Sequence, residues 1–314
     1  MKSPGSERSR LVPALMGPTG SGKTGLVCAL DGERFEVVSC DSRQLYVGLE
    51  IGSAAPTEQE QARMPHHLVG LLGPDQTASV GFFRKRALAA IEDIFSHGRQ
   101  PLLVGGTGFY YAALRSRLFD VRVPDRIRVE IEALTHEERI GRLRTLDPAA
   151  FVEPGEQPRS GRIHENDRYR VQRALEICVT TGRPWSGFWS PGERSATDHS
   201  FQLTGFWLNP PEEAYRAGLR TRAQSMISRG LVPEAGAVFE KYGECAALKT
   251  LGYREALAVY RGEQDETWLE DQLVVGHRQY AKRQRTWFRK EASLTPITAQ
   301  AFAGALDELI LKQA

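Results

Sequence analysis

Cysteine is scarce in this chain. The four residues in 314, Cys28, Cys40, Cys178 and Cys245, stand far apart with no C-x-x-C pair. That spacing argues against a disulfide framework and a zinc cluster, and leaves free thiols suited to a reducing cytoplasm. No apolar run approaches the roughly 18 residues that span a bilayer, so no membrane partner is expected. Residues Met1 to Arg10 are polar, lack the apolar stretch of a secretory signal, and read as a frayed tail. Charge of one sign is also lacking: 41 Lys and Arg against 39 Asp and Glu leave a net +2. Global charge therefore announces no polyanionic partner, and only local clusters can. No internal repeat or low-complexity tract is present, and the length suits one large or two modest domains. Nothing resembles a heptad seam or an exposed apolar stripe, so a monomer is expected.

Against that background one motif stands out. Gly17-Pro18-Thr19-Gly20-Ser21-Gly22-Lys23-Thr24 is G-x-x-x-x-G-K-T, a phosphate-cradling loop. Glycines let successive backbone N–H groups turn toward an oxyanion. Lys23 can reach a terminal phosphate, and the Thr24 hydroxyl can ligate Mg²⁺. The apolar run Leu11–Met16 before the loop reads as a strand, beginning near Pro13 because proline suits a strand start. The stretch Thr24–Leu30 after it reads as a helix whose N-terminus adds a favourable dipole.

Further short apolar runs end in similar clusters. Phe35–Cys40 ends at Asp41-Ser42, and Pro101–Val104 ends at Gly105-Gly106-Thr107-Gly108. Strands alternating with helical stretches predict an α/β fold, a parallel sheet flanked by helices around the phosphate loop. Ligands in such sheets sit at the carboxyl ends of strands, so Asp41 and Thr107 should converge on the loop. Val80–His97 carries its apolar residues at helical spacing and reads as core packing. From about residue 115 to 200 the texture becomes charged and strand-poor, with a Pro/Gly-rich break at Glu153–Gly161. Arg126–Thr145 and Asp167–Thr181 read there as helices of an inserted helical domain. Phe201–Leu208 returns to the sheet pattern, and helices are expected from Pro211 onward, with breaks near Gly230, Gly243 and Gly262.

Four features carry candidate chemistry. Asp41 suits a general base, a Mg²⁺ ligand or, blandly, a helix N-cap. Thr107, in a run that alone is only a turn signal, gains value by facing the same cleft. The pair His66-His67 lacks a third ligand at metal spacing, which favours packing or a cleft-edge contact over a metal site. The stretch Arg278–Lys290 interleaves basic and aromatic residues, as do Lys249–Arg254 and Arg168–Arg173. Basic groups contact phosphate and aromatics stack on unpaired bases, so these clusters favour RNA over a merely solvated helix face.

Taken in order, these motifs resemble the bacterial tRNA dimethylallyltransferases, also called tRNA isopentenyltransferases. The resemblance runs from about Leu11 to Arg289. Its further elements are Gly48-Leu49-Glu50-Ile51-Gly52-Ser53-Ala54-x-Pro56, Asn166-Asp167-x-x-Arg170-x-x-Arg173-Ala174-Leu175-Glu176 and Arg278-Gln279-x-Ala281-Lys282-Arg283-Gln284-x-Thr286-Trp287-Phe288-Arg289. It implies that the loop cradles dimethylallyl diphosphate rather than a nucleotide. The prenyl group would pass to N6 of the adenosine 3′ of a tRNA anticodon, with Mg²⁺ as cofactor held at Thr24. It implies Asp41 as general base and Thr107 as the contact to the target amine. Diphosphate would be bound by Gly17, Thr19, Gly20, Ser21, Gly22, Lys23, Thr24 and Arg222. The anticodon stem-loop would meet Asp41, Ser42, Arg43, Gln44, Thr107, Tyr169, Arg170, Arg173, Lys249, Gly252, Tyr253, Arg254, Lys282, Arg283, Gln284, Trp287 and Arg289. The chain departs from the family at Ala223-Gln224, where Val-Asp is frequent after the arginine, and at Gly218, Tyr169 and Lys249. A small-molecule kinase, a prenyltransferase acting on free adenine nucleotides and a non-catalytic RNA-binding protein are the competing readings.

Overall fold

The computed structural model describes residues 10–115, 121–153, 161–189 and 199–312. Most of the expected tail and residues 154–160 of the Pro/Gly-rich break lie outside the described residues. The chain forms two compact units, one from the residues up to Arg115 and from His199 onward, the other from Ser116 to Asp198.

The larger unit begins with β1 (Arg10–Met16), the phosphate loop and α1 (Lys23–Val27). It continues through β2 (Phe35–Cys40), α2 (Glu50–Ser53), α3 (Glu58–Arg63), β3 (His66–His67), α4 (Val80–Ser96), β4 (Gln100–Gly105) and α5 (Gly108–Arg115). The smaller unit holds α6 (Asp125–Glu132), α7 (His136–Leu146) and α8 (Arg168–Thr181). The larger unit resumes with β5 (Phe201–Leu208), α9 (Glu212–Ser228), α10 (Leu231–Tyr242), α11 (Tyr253–Tyr260), α12 (Glu266–Phe288), β6 (Leu294–Ile297) and α13 (Phe302–Leu311).

All six strands are parallel, in the order β3-β2-β4-β1-β5-β6. Every residue of β2 is buried, as is all of β1 after Arg10, the signature of strands covered on both faces. Alternation sorts their side chains. Val12, Ala14 and Met16 join Phe83 and Ile91 of α4, Tyr111 of α5 and Phe288 of α12 in one cluster. Leu15, Val37 and Leu102 join Val27 of α1 and Phe302 and Leu306 of α13 in another. The helices α9 to α12 share a separate core around Met226, Leu231, Ala256 and Leu273. In the smaller unit α6, α7 and α8 pack Ile131, Leu143 and Leu175 together.

Four details differ from the sequence reading. β1 starts at Arg10, not near Pro13; its pairing with β4 begins only at Ala14, so proline precedes that ladder. α1 ends at Val27, which leaves a five-residue helix with little dipole to offer. Arg126–Thr145 is not one helix but two. Thr135 accepts from the Glu138 N–H while Glu138 caps the Thr135 N–H, a capping box that starts α7 afresh. Finally, β6 interrupts the C-terminal helices, although the breaks at Gly230, Gly243 and Gly262 fall where expected.

Candidate active site

Three loops meet at the carboxyl ends of β1, β2 and β4. The phosphate loop is tied to the sheet by the Gly17 N–H, which donates to the Gly105 carbonyl at 3.1 Å. Gly22 precedes α1 at φ 86°, a left-handed conformation that glycine adopts without strain. Lys23 Nζ folds back and donates to the Gly17 and Pro18 carbonyls, each at 2.9 Å. Burial lowers its pKa to about 8; Asp41 opposes the shift and Arg222 adds to it. A desolvated ammonium of this kind gains most from an incoming anion.

Asp41 leaves β2 in an Asx turn, Oδ1 accepting from the Arg43 N–H at 2.9 Å. Burial raises its carboxyl above the usual range, against the pull of the Arg43 N–H, Lys23, Arg43 and Arg222. Thr107, at the end of β4, bonds back to the β2 loop. Its N–H donates to the Cys40 carbonyl at 3.1 Å, and its Oγ1 accepts from the Ser42 N–H at 3.1 Å. Gln44 holds the same loop from the far side, accepting from Ser39 Oγ at 2.7 Å and donating to the Ala54 carbonyl at 3.0 Å.

Thr19 is held at three atoms. Its N–H donates to Gln284 Oε1 at 2.9 Å, its carbonyl accepts from Tyr215 Oη at 3.0 Å, and Oγ1 accepts from Arg222 Nη2 at 3.3 Å. Arg222 Nε is buried without a partner, an unspent donor beside the loop. Together Thr19 to Gly25, Asp41, His66, Arg222 and Arg229 line a cavity of about 250 Å³. The arrangement can bind an oxyanion on backbone amides and cations, and can present a carboxylate to a proton beside it.

Thr24 and Asp41 bring a hydroxyl and a carboxylate to this cavity. Among the described residues no group of three or more His, Cys, Asp or Glu is gathered around a metal position. One or two oxygen donors suit Mg²⁺, which keeps waters and takes substrate phosphate oxygens. His66 and His67 serve the sheet and the cleft edge instead. His66 Nδ1 bonds the Met64 carbonyl at 2.6 Å and lines the cavity, while His67 bonds Glu36. Burial alone would raise the Glu36 carboxyl, but hydrogen bonds from His67, His97 and Arg99 outweigh it and hold the group low.

The residues named for RNA contact separate into two sets. Tyr169, Arg170, Lys249, Arg254, Lys282, Arg283 and Arg289 are exposed. Arg173 is half-buried and bonds Glu176 and the Val121 carbonyl. Tyr253 is buried; its hydroxyl donates to Glu234 at 2.5 Å and accepts from the Gly52 N–H at 2.8 Å. Gly252 is buried beneath it. Gln284 is buried as well, with Nε2 on the Gly106 carbonyl at 2.8 Å and Oε1 on Thr19. Trp287 is half-buried against Gly108, where a Cβ would stand 2.3 Å from the indole. Sequence reasoning did not single out Tyr215, which bonds the Thr19 carbonyl, or Arg229, which lines the cavity.

Known proteins bear on this geometry. The family model described as IPP transferase matches residues 44–291. A tRNA dimethylallyltransferase of Leptospira biflexa is 40% identical over 93% of this chain and 96% of its own. One of Koribacter versatilis is 38% identical over 90% of both. The solved tRNA isopentenylpyrophosphate transferase of Bacillus halodurans superposes with a TM-score of 0.65 at 30% identity, covering 97% of this chain and 96% of that one. A eukaryotic dimethylallyltransferase solved acting on tRNA superposes with a TM-score of 0.81 at 27% identity, over 96% of this chain and 78% of its own. With the phosphate loop, the facing carboxylate and a match along nearly its whole length, this chain belongs to the IPP transferase family, that of the tRNA dimethylallyltransferases.

Proposed function

We propose that this chain, a cytoplasmic monomer, moves a dimethylallyl group from dimethylallyl diphosphate to N6 of the adenosine 3′ of a tRNA anticodon. The observation that carries the reading is the convergence of Lys23, Asp41 and Arg222 on one cavity at the phosphate loop. The loop's amides, Lys23 and Arg222 hold the diphosphate, and the unpartnered Arg222 Nε is a donor available to it. Adenine N6 is a weak nucleophile, so a base must accept its proton. Asp41, held above the usual carboxylate range by burial, is the stronger base for it. As the N6–C1 bond forms, the C1–O bond breaks, its electron pair leaves with diphosphate, and the N6 proton passes to Asp41. The Thr24 hydroxyl would hold Mg²⁺ beside the diphosphate, where the ion would supply neutralisation of the leaving group's charge.

The target base must leave its stack to reach the cavity. The exposed cations Arg170, Lys249, Arg254, Lys282, Arg283 and Arg289 would hold the stem-loop's phosphates while the flipped base enters, with Tyr169 available for stacking. Ser42 and Arg43 follow Asp41 on the same loop and would meet the stem-loop beside it.

A transfer assay tests the reading. The protein is incubated with Mg²⁺, labelled dimethylallyl diphosphate and either an anticodon stem-loop bearing adenosine at the target position or adenosine monophosphate. Label in the stem-loop alone is the expected result. Label in the nucleotide alone would make the acceptor a free nucleotide, and label in neither would overturn the activity.

A further inference from the structure

We propose that Tyr215 is a positioning residue of the diphosphate cradle, its phenol fixing the Thr19–Gly20 peptide so that the N–H, and not the carbonyl, is turned to the anion. The inference rests on the reading of the loop as a diphosphate site. Tyr215 lies near the start of α9 and donates from Oη to the Thr19 carbonyl at 3.0 Å. Its ring reaches the next residue, 3.7 Å from where a Cβ on Gly20 would stand. The Arg285 guanidinium of α12 lies over that ring, 4.5 Å from its centroid. Arg285 is itself ion-paired with Glu212 and donates to the Pro210 carbonyl at 3.2 Å. Its side chain is only 13% exposed, although Lys282 and Arg283 just before it face outward. Gln284 receives the Thr19 N–H at 2.9 Å. Two consecutive residues of α12 thus hold Thr19, one directly and one through Tyr215.

The chemistry of the peptide gives the phenol its task. A trans peptide carries its C=O and N–H in one plane, pointing opposite ways. Holding the Thr19 carbonyl on Tyr215 therefore turns the Gly20 N–H away from the phenol. Gly20 stands at φ 73°, a conformation that glycine reaches about as readily as negative φ. The loop sequence by itself leaves the orientation of this peptide open. A flipped plane would turn a carbonyl's partial negative charge toward the cavity that Thr19 and Gly20 line, where it would oppose an oxyanion. Burial pushes the Tyr215 phenol up to about 12, against the pull of Arg285 and Arg222, so it remains a neutral donor at working pH. The Arg285 guanidinium, attracted to the ring's face, keeps the ring from swinging away from the loop.

Tyr215→Phe removes the donor and keeps the ring. Binding of inorganic diphosphate in the presence of Mg²⁺ reads the cradle without turnover. The wild-type protein should bind it, and Tyr215→Phe should bind it about 5-fold more weakly, within what one hydrogen bond contributes. KM for dimethylallyl diphosphate should rise by a similar factor. The cradle grips the diphosphate before and after the C1–O bond breaks, so kcat at saturation should hold. Stem-loop affinity and melting temperature should stay unchanged. Arg285→Met should weaken diphosphate binding about 3-fold, the share of a cation on an aromatic face. Added to Tyr215→Phe it should cost nothing further, because coupled groups are not additive. Arg285→Met should also keep the wild-type slope of log stem-loop affinity against log salt, as a residue off the RNA does. Unchanged diphosphate binding in Tyr215→Phe overturns the inference, and so does a loss shared equally with the stem-loop or an equal Arg285→Met loss in both backgrounds. If the wild-type protein binds no diphosphate, the reading of the loop falls and this inference with it. A wild type that binds, beside an unaffected Tyr215→Phe, removes the inference alone.

Discussion

Lys23 shows how one side chain sets conditions for the whole site. Its ammonium is buried on the loop's own carbonyls and titrates at about 8 instead of 10.5. The cation is present below that value and lost as pH rises through it. KM for the diphosphate substrate should therefore climb above about pH 8 and level off once the residue is neutral. Lys23→Gln should show a raised KM with that dependence abolished; a wild-type KM flat from pH 7 to 10 would contradict the assignment. The linkage to stability has a definite sign. Between about 8 and 10.5 the unfolded chain binds more protons at this residue than the folded one, so its contribution to stability rises with pH there. The motif Gly17–Thr24 made Lys23 visible in the sequence because a fixed spacing encodes its backbone cradle. Tyr215 and Arg229 carry no such spacing. Tyr215 reaches Thr19, and Arg229 the cavity, only because α9 runs past the loop, a tertiary fact that no local pattern records.

At the scale of elements, α12 teaches most. Its mixture of basic and aromatic residues reads as a nucleic-acid surface, yet a helix has two sides. Lys282, Arg283 and Arg289 are exposed, while Gln284 and Phe288 are buried and Tyr280 and Trp287 half-buried. Composition showed the outer face; the inner one needed the 3.6-residue period. Gln284 makes a test of the inner face. Gln284→Leu keeps the volume but releases the Thr19 N–H and the Gly106 carbonyl, leaving one half-buried and one buried backbone group without partners. KM for dimethylallyl diphosphate should rise roughly 10-fold, the equivalent of the ~1.4 kcal/mol that one such loss costs. Stem-loop affinity should stay within about two-fold. A large loss of RNA affinity with normal diphosphate binding would place the side chain at the RNA instead. The capping box at Thr135 was missed for a related reason: its charged neighbours look continuous with the helix before it, and only the Thr-x-x-Glu spacing marks the restart.

Across the whole molecule, the sheet was legible where strands are long and apolar. β1, β2 and β4 are covered on both faces and write themselves as largely apolar runs, while β5 alternates buried and more open positions from Phe201 to Phe206. β3 and β6, at the two edges, have two and four residues of mixed polarity and leave no such trace. The sheet gathers the anion loop, Asp41 and Thr107 at one end, whereas the exposed cations are distributed over α8, the start of α11 and the residues before it, and α12 with its C-cap. Binding and chemistry should therefore separate. Neutralising Lys282 and Arg283 together should weaken stem-loop binding, reduce the slope of log affinity against log salt by roughly one to two, and leave kcat at saturation intact. An unchanged slope would remove these residues from the RNA contact. The central claim is that Asp41 is the base rather than an RNA anchor, and Asp41→Ala measured for turnover and stem-loop affinity in parallel tests it most directly. Loss of turnover by on the order of 100-fold or more, with affinity kept within a few-fold, is the predicted result; prenyl transfer at the wild-type rate would contradict it.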